Sequence, residues 1–276
     1  MKDAALRKRV ARIADEAGFD AVAVAFYDGD SGRLFVHEAD RFFHAASTIK
    51  VAILLAIYKL AEEGRIRLDD TLHVRNRFRS LIGGEVFRVA ANRDGDSEVH
   101  RRLGRSMHVG ELCRAMITRS SNLATNLVLD YVGLDAVRAI LKGAKIEGVE
   151  IARGVEDTRA FEAGINNRVT ARGLVQLFRV IGEGGFLRES TREQILEILR
   201  AQEFNSMIPE GLPKVARVAH KTGEISTACH DAGIVFLPGR KPYVVAILTE
   251  MSAAVETRNR PVAEISRAIY ESLEER

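Results

Sequence analysis

Ser47-Thr48-Ile49-Lys50-Val51-Ala52-Ile53-Leu54-Leu55-Ala56-Ile57-Tyr58-Lys59-Leu60 is the stretch that decides the fold. From Ile49 to Leu60 it is apolar on nearly every side, and a helix hydrophobic all round belongs in the centre of a domain. Gly64 ends it. Its start carries two polar residues, Ser47 and Lys50, which a helix beginning at Ser47 places on one face of the first turn, within hydrogen-bonding reach. A serine hydroxyl is a poor nucleophile until a base takes its proton. Apolar surroundings disfavour the lysine ammonium, and a second lysine nearby disfavours it further. The helix N-terminus adds partial positive charge beside Ser47. Taken alone, Ser47 and Lys50 read either as a nucleophile with its base or as a chance string at a helix start.

Upstream, Leu6, Val10, Ile13 and Ala17 recur at helical spacing and Gly18 follows as a stop. Asp20 to Tyr27 and Arg33 to His37 read as two strands joined by the turn Asp28-Gly29-Asp30-Ser31-Gly32. Downstream, the chain reads mainly helical to about residue 205. Thr170 is placed to cap a helix carrying Leu174, Leu177, Phe178 and Ile181, and Ser190-Thr191-Arg192-Glu193 fits a capping box. Then the character changes. Val215 to Lys221, Gly233 to Leu237 and Tyr243 to Thr249 read as strands, with Pro238 to Pro242 as a turn, and Pro261 opens a last helix. Two early and three late strands predict an α/β (α+β) fold: one five-stranded antiparallel sheet flanked by the N- and C-terminal helices, with an all-helical lobe inserted. The predicted lobes are 1–46 with 207–276 for the sheet and 47–206 for the helices, the active site lying in the cleft between them.

The composition is that of a globular protein: 276 residues, 46% hydrophobic and 29% charged, with a net charge of +3. That charge is too small to argue for nucleic acid or a membrane surface. Arg75, Arg77, Arg79, Arg88, Arg93, Arg101, Arg102 and Arg105 crowd together, but Asp94, Asp96 and Glu98 interleave with them, so this stretch reads as a solvated loop of mixed charge. Cys113 and Cys229 have no metal or CxxC spacing and read as free thiols. The seven histidines lack a zinc spacing, and no Walker loop or dinucleotide fingerprint is present, so no metal and no cofactor are expected. No apolar leader follows Met1, which predicts a cytoplasmic location for the chain as written, or a periplasmic or secreted one if a leader was removed. A monomer is expected, without membrane insertion.

Two later strings fit the first. Ser120-Ser121-Asn122 lies between two apolar-periodic segments, where Ser120 can relay a proton and Asn122 can hydrogen-bond a substrate amide. Lys221-Thr222-Gly223 follows a strand pattern and is expected at the end of an edge strand facing a cleft. Lys221 offers a charge to a substrate carboxylate, Thr222 a hydroxyl beside it, and Gly223 the absence of a side chain where substrate must approach. The backbone N–H of Glu224 would pair with that of Ser47 as an oxyanion hole.

With these three strings in this order, the chain resembles the class A β-lactamases and their relatives, the fold shared with penicillin-binding proteins. The resemblance runs over nearly the whole chain, supported by Phe43 to Ile53, Met116 to Leu129 and His220 to Pro238. It implies a serine acyl-enzyme on Ser47 that opens the ring of penicillins and cephalosporins. Lys50 would be the buried amine, Ser120 the relay, Asn122 an amide contact, and Lys221 with Thr222 the carboxylate site. The substrate is a β-lactam or a peptide-like small molecule. Two departures stand out. Ser121 occupies the place where the lactamases usually have aspartate. The family pattern also sets a deacylating glutamate four residues before an asparagine, and Glu162-Ala163-Gly164-Ile165-Asn166 has that spacing, although its loop is short. Glu162 is then the candidate base and Asn166 its partner, with Glu156 and Asp157 as the other carboxylates. Alternatives are a D,D-peptidase or esterase using the same site, or a penicilloyl-binding protein that acylates and stops.

Overall fold

A computed structural model describes residues 2–274. The helix α1 (Lys2–Glu16) leads into β1 (Phe19–Asp28) and β2 (Leu34–His37). Much later come β10 (Arg217–Ile225), β11 (Ala228–Phe236), β12 (Tyr243–Met251) and α10 (Asn259–Glu274). These strands form one antiparallel five-stranded sheet in the order β10-β11-β12-β1-β2. The expected architecture is thus present, with β10 on an edge.

The alternation of β1 explains how the sheet is covered. Val22, Val24 and Phe26 pack with Val10 of α1 and with Val262 and Ile269 of α10. Ala23 and Ala25 turn to the other face, with Ala232 and Ala246, as a strand period of two requires. Those small residues let the helix α8 (Ala171–Glu183) lie against β1 and β12.

Between β2 and β10 the chain builds α2 (Lys50–Glu62), α3 (Glu98–Arg101), α4 (Val109–Thr118), α5 (Asn122–Val132), α6 (Leu134–Gly143), α7 (Thr158–Glu162) and α9 (Glu189–Arg200) around α8. Ile53, Leu54, Leu55 and Ile57 of α2 are at most 1% exposed, and each such side chain contributes roughly 1.5–3 kcal/mol on burial. After α2, Arg65 N–H returns to Leu60 O, closing the helix past Gly64.

The helical stretch differs from its sequence reading in several places. It contains short ladders: β3 (Phe43–His44) with β9 (Arg168–Val169) and β8 (Val149–Glu150), β4 (Thr71–His73) with β7 (Ser106–His108), and β5 (Phe78–Arg79) with β6 (Val86–Phe87). These pairs are too brief to leave a period in the sequence. Thr170 does cap α8, its Oγ1 accepting from Gly173 N–H at 2.9 Å. Ser190 caps nothing: α9 already starts at Glu189, because the Glu62 carboxylate accepts the Arg188 N–H at 2.7 Å and anchors the helix start. Cys113 and Cys229 are free and buried. Among the described residues no helix is long and apolar enough to cross a membrane.

Candidate active site

Ser47 lies in a 3-10 turn, Ala46–Ile49, that precedes α2, rather than in the α-helix itself. The turn is held in several ways. Ala45 N–H donates to Asn167 O, Ala46 N–H to His44 Nδ1, and Thr48 Oγ1 to Ala45 O. His230 on β11 donates from Nε2 to His44 O at 2.9 Å, while its Nδ1 accepts from Thr249 N–H at 3.1 Å. Both ring nitrogens are thereby used by the neutral imidazole, and burial pushes its pKa down to about 4. A neutral histidine so bonded pins the Ser47 turn to the sheet. Ala46 has φ of 44°, a left-handed conformation that costs a non-glycine residue energy.

Lys50 is fully buried. Its Nζ donates to Ser120 O at 2.6 Å, to Asn122 Oδ1 at 2.8 Å and to Ser120 Oγ at 3.2 Å. The partners of the amine are therefore the Ser120 loop, and Ser47 Oγ, which the sequence placed within its reach, is not among them. Burial, and next the charge of Lys221, hold the Lys50 ammonium well below its ordinary pKa; Asp94 and Glu156 act the other way. Ser120 has φ of 58°, a second left-handed residue, joining α4 to α5. Ser121 is the N-cap of α5, its Oγ accepting from Ala124 N–H.

The lysine strand runs past the site. Lys221, Thr222 and Gly223 fall in the middle of β10, not at its end, because β10 pairs with β11 as far as Ile225 opposite Ala228. A Cβ on Gly223 would stand 3.1 Å from Ser47 N and 3.0 Å from Thr48 Cγ2. Glycine is thus what lets the strand close on the Ser47 turn. Ser47, Ser120, Asn122, Thr222 and Glu224 line one cavity of about 220 Å³, with Arg93 and Phe204 among its other walls. Lys221, next to Thr222 in the strand, is buried and donates to Thr222 O at 2.8 Å. Burial lowers its pKa to about 7, against the raising effect of Asp231.

Glu156 is a carboxylate beside these groups. Its Oε1 lies 3.5 Å from Asn122 Nδ2 and its Oε2 3.2 Å from Arg93. Glu156 is the third left-handed residue of the site, with φ of 62°. Asn126 on α5 fixes this segment, exchanging hydrogen bonds of 2.9 Å with Val155 N–H and Val155 O. Asp157, one residue on, is buried and structural: it caps α7 through Ala160 N–H and accepts from Ser80 Oγ and Leu81 N–H.

Glu162 does not join this cluster. It is exposed at the end of α7, and it takes part in none of the hydrogen bonds made by Lys50, Ser120 or Asn122. The spacing to Asn166 spans the closing turn of α7, where Gly164 N–H returns to Phe161 O and Ile165 N–H to Ala160 O. Asn166 Oδ1 faces Arg153 Nη2 at 3.4 Å. The neighbouring Asn167 is buried and braces residues 152 and 153. The five-residue spacing thus marks a helix end, and the glutamate within 3.5 Å of Asn122 is Glu156.

Two acids in the arginine-rich stretch were also hidden in the sequence. The side chains of Asp94 and Asp96 are buried, not solvated, and grip the chain on either side of Ser120. Asp-Gly-Asp inside a run of opposite charges carries no periodic signal; only the fold reveals its partners.

The five-stranded sheet, the inserted helices, and a serine turn that an edge strand closes on make the class A β-lactamase and penicillin-binding fold. A family model described as the beta-lactamase enzyme family matches residues 5–273, and the chain belongs to that family. It is 28% identical over 268 residues to a beta-lactamase of Streptomyces fradiae, an alignment covering 94% of this chain and 83% of the relative. A variant of PBP-A, solved as its acyl-enzyme complex with penicillin G, superposes with a TM-score of 0.84 at 28% identity over 99% of this chain and 97% of its own. The ancestral class A beta-lactamase GNCA superposes with a TM-score of 0.82 at 26% identity, covering 97% and 99%.

Proposed function

We propose that this protein is a serine β-lactamase that acylates Ser47 and hydrolyses the ester with the help of Glu156. The observation that carries the reading is the buried Lys50 amine bonded to Ser120 and Asn122, two residues that line one cavity with Ser47. The sheet and helical lobes, 1–46 with 207–276 and 47–206, are then the two walls of the substrate cleft.

The chemistry runs in two halves. With its ammonium disfavoured, Lys50 accepts the Ser47 hydroxyl proton and the oxygen attacks the lactam carbonyl. The backbone N–H groups of Ser47 and Glu224 take the developing oxyanion. Ser120 Oγ passes a proton from Lys50 to the ring nitrogen as the C–N bond breaks, which opens the ring. Lys221 and Thr222 hold the substrate carboxylate. In the second half a water held between Glu156 and Asn122 attacks the ester carbonyl, Glu156 takes its proton, and as the C–O bond breaks the Ser47 oxygen takes a proton back, which restores the serine hydroxyl and the Glu156 carboxylate.

The structural likeness to PBP-A favours a second reading, a penicilloyl-binding protein that stops at the ester. The two separate in one assay. With a chromogenic cephalosporin, a lactamase shows a burst followed by steady turnover at a rate proportional to enzyme. A burst alone supports the penicilloyl-binding reading, and neither phase removes both.

The two lysines make opposite demands on pH. Lys221 binds a carboxylate only when protonated, and its pKa of about 7 leaves it neutral above that value. Therefore kcat/KM is expected to fall as pH rises through about 7, since that ratio reports the free enzyme. Arginine keeps its charge throughout this range. Lys221→Arg is expected to flatten the alkaline fall, whatever its absolute rate. A variant with the same alkaline limb as the parent contradicts the role given to Lys221.

A further inference from the structure

We propose that Asp94-Gly95-Asp96 is a clamp that positions the Ser120 loop, with Asp94 as a positioning residue for the groups that hold Lys50. The proposal rests on the serine acylation mechanism above.

The clamp closes from both sides of Ser120. Asp94 Oδ1 accepts from Asn122 N–H at 2.8 Å, and its Oδ2 accepts from Leu123 N–H at 2.9 Å and faces Ser121 Oγ at 3.4 Å. Asp96 accepts from Arg119 Nε at 3.0 Å and from Arg119 Nη2 at 3.4 Å. Both carboxylates are buried, at 0% and 1% side-chain exposure. Gly95 sits between them where a Cβ would stand 2.4 Å from Arg119 O, so nothing larger allows the two loops to touch. The residue left between the two grips is Ser120, in its left-handed conformation. Such a conformation persists only where its surroundings over-determine it. Through it the carbonyl of Ser120 reaches Lys50 Nζ, and Asn122, one of the gripped residues, supplies Oδ1 to the same amine.

The clamp also answers a question posed by Ser121. A helix N-terminus favours negative charge, and Ser121, the residue capping α5, has none. Asp94 brings that charge from a loop that lies 27 residues earlier in the chain. His100 Nε2, 3.0 Å from Asp94 Oδ2, orients the carboxylate from α3.

The test uses the full chain and follows single-turnover acylation by a chromogenic cephalosporin across pH. The charged groups facing Lys50 are Lys221 on β10, Asp94, and Glu156; His100 and Arg119 flank the clamp. Asp94→Asn keeps the shape and removes the charge. It is expected to slow acylation about 10–100-fold, on the scale of a misplaced general base, while the substrate concentration for half-saturation stays within about twofold because Lys221 and Thr222 are untouched. Removing a negative charge that faces Lys50 lowers its pKa, so the ascending limb of acylation moves to lower pH. Asp94→Ala with Ser121→Asp restores a carboxylate to the start of α5 and is expected to recover acylation to within about threefold of the parent. Asp94→Asn acylating at the parent rate overturns the proposal. A slow Asp94→Asn whose limb has not moved and which the double variant does not rescue overturns it equally. A parent that shows no burst rejects the acylation mechanism itself, which keeps the two failures distinct.

Discussion

Ser47→Ala is expected to lose penicillin hydrolysis by on the order of 10⁴–10⁶-fold, the scale at which serine hydrolases lose activity with their nucleophile. The expectation follows from position. Ser47 lies in a turn that His230 ties to the sheet and that Gly223 allows β10 to approach. Lys50 and Ser120 stand behind it, already bonded to each other. Removing one oxygen leaves this frame in place but nothing for it to activate. Benzylpenicillin loss followed by chromatography measures the effect. A variant within about tenfold of the parent would move the nucleophile elsewhere.

Glu156→Gln is expected to leave acylation nearly intact and to slow release of the ester by about 10²–10⁴-fold, the contribution of a positioned general base. Glutamine keeps the length of the side chain and its contact with Asn122 Nδ2, but it cannot take a proton from water. The enzyme should accumulate as acyl-enzyme, so the burst survives and the steady state collapses. Glu162→Gln is the matched control. It is exposed at the end of α7 and is expected to turn over like the parent. Equal losses in the two variants, or a loss only in Glu162→Gln, would return the base to the spacing read from sequence.

These variants also mark where local pattern stops informing. The buried helix α2 was legible because burial on all sides writes itself into consecutive residues, and Ser47 and Lys50 came with it. Lys221 to Gly223 were legible as residue types, but their place in mid-strand was not, since β11 carries His230 and Asp231 where an apolar alternation would have shown its length. Those polar residues are buried because His44, Thr249 and His220 satisfy them. Glu156 was ambiguous for a different reason. Glu162 and Asn166 match a spacing, yet what brings a carboxylate to the site is Asn126, which grips Val155 from 29 residues away. Asp94 and Asp96 lay hidden among arginines, and their burial depends on partners in the Ser120 loop. In each case the missing information was a long-range hydrogen bond, which composition and periodicity do not encode.

A covalent ester on Ser47 is read from the mass of the Glu156→Gln protein after brief mixing with benzylpenicillin, followed by peptide mapping. Because the lactam nitrogen stays attached to the opened ring, nothing leaves when the ester forms. One adduct of the full mass of benzylpenicillin is expected, located on the peptide that contains Ser47 and absent from Ser47→Ala. An unmodified protein, or an adduct on any other residue, contradicts it.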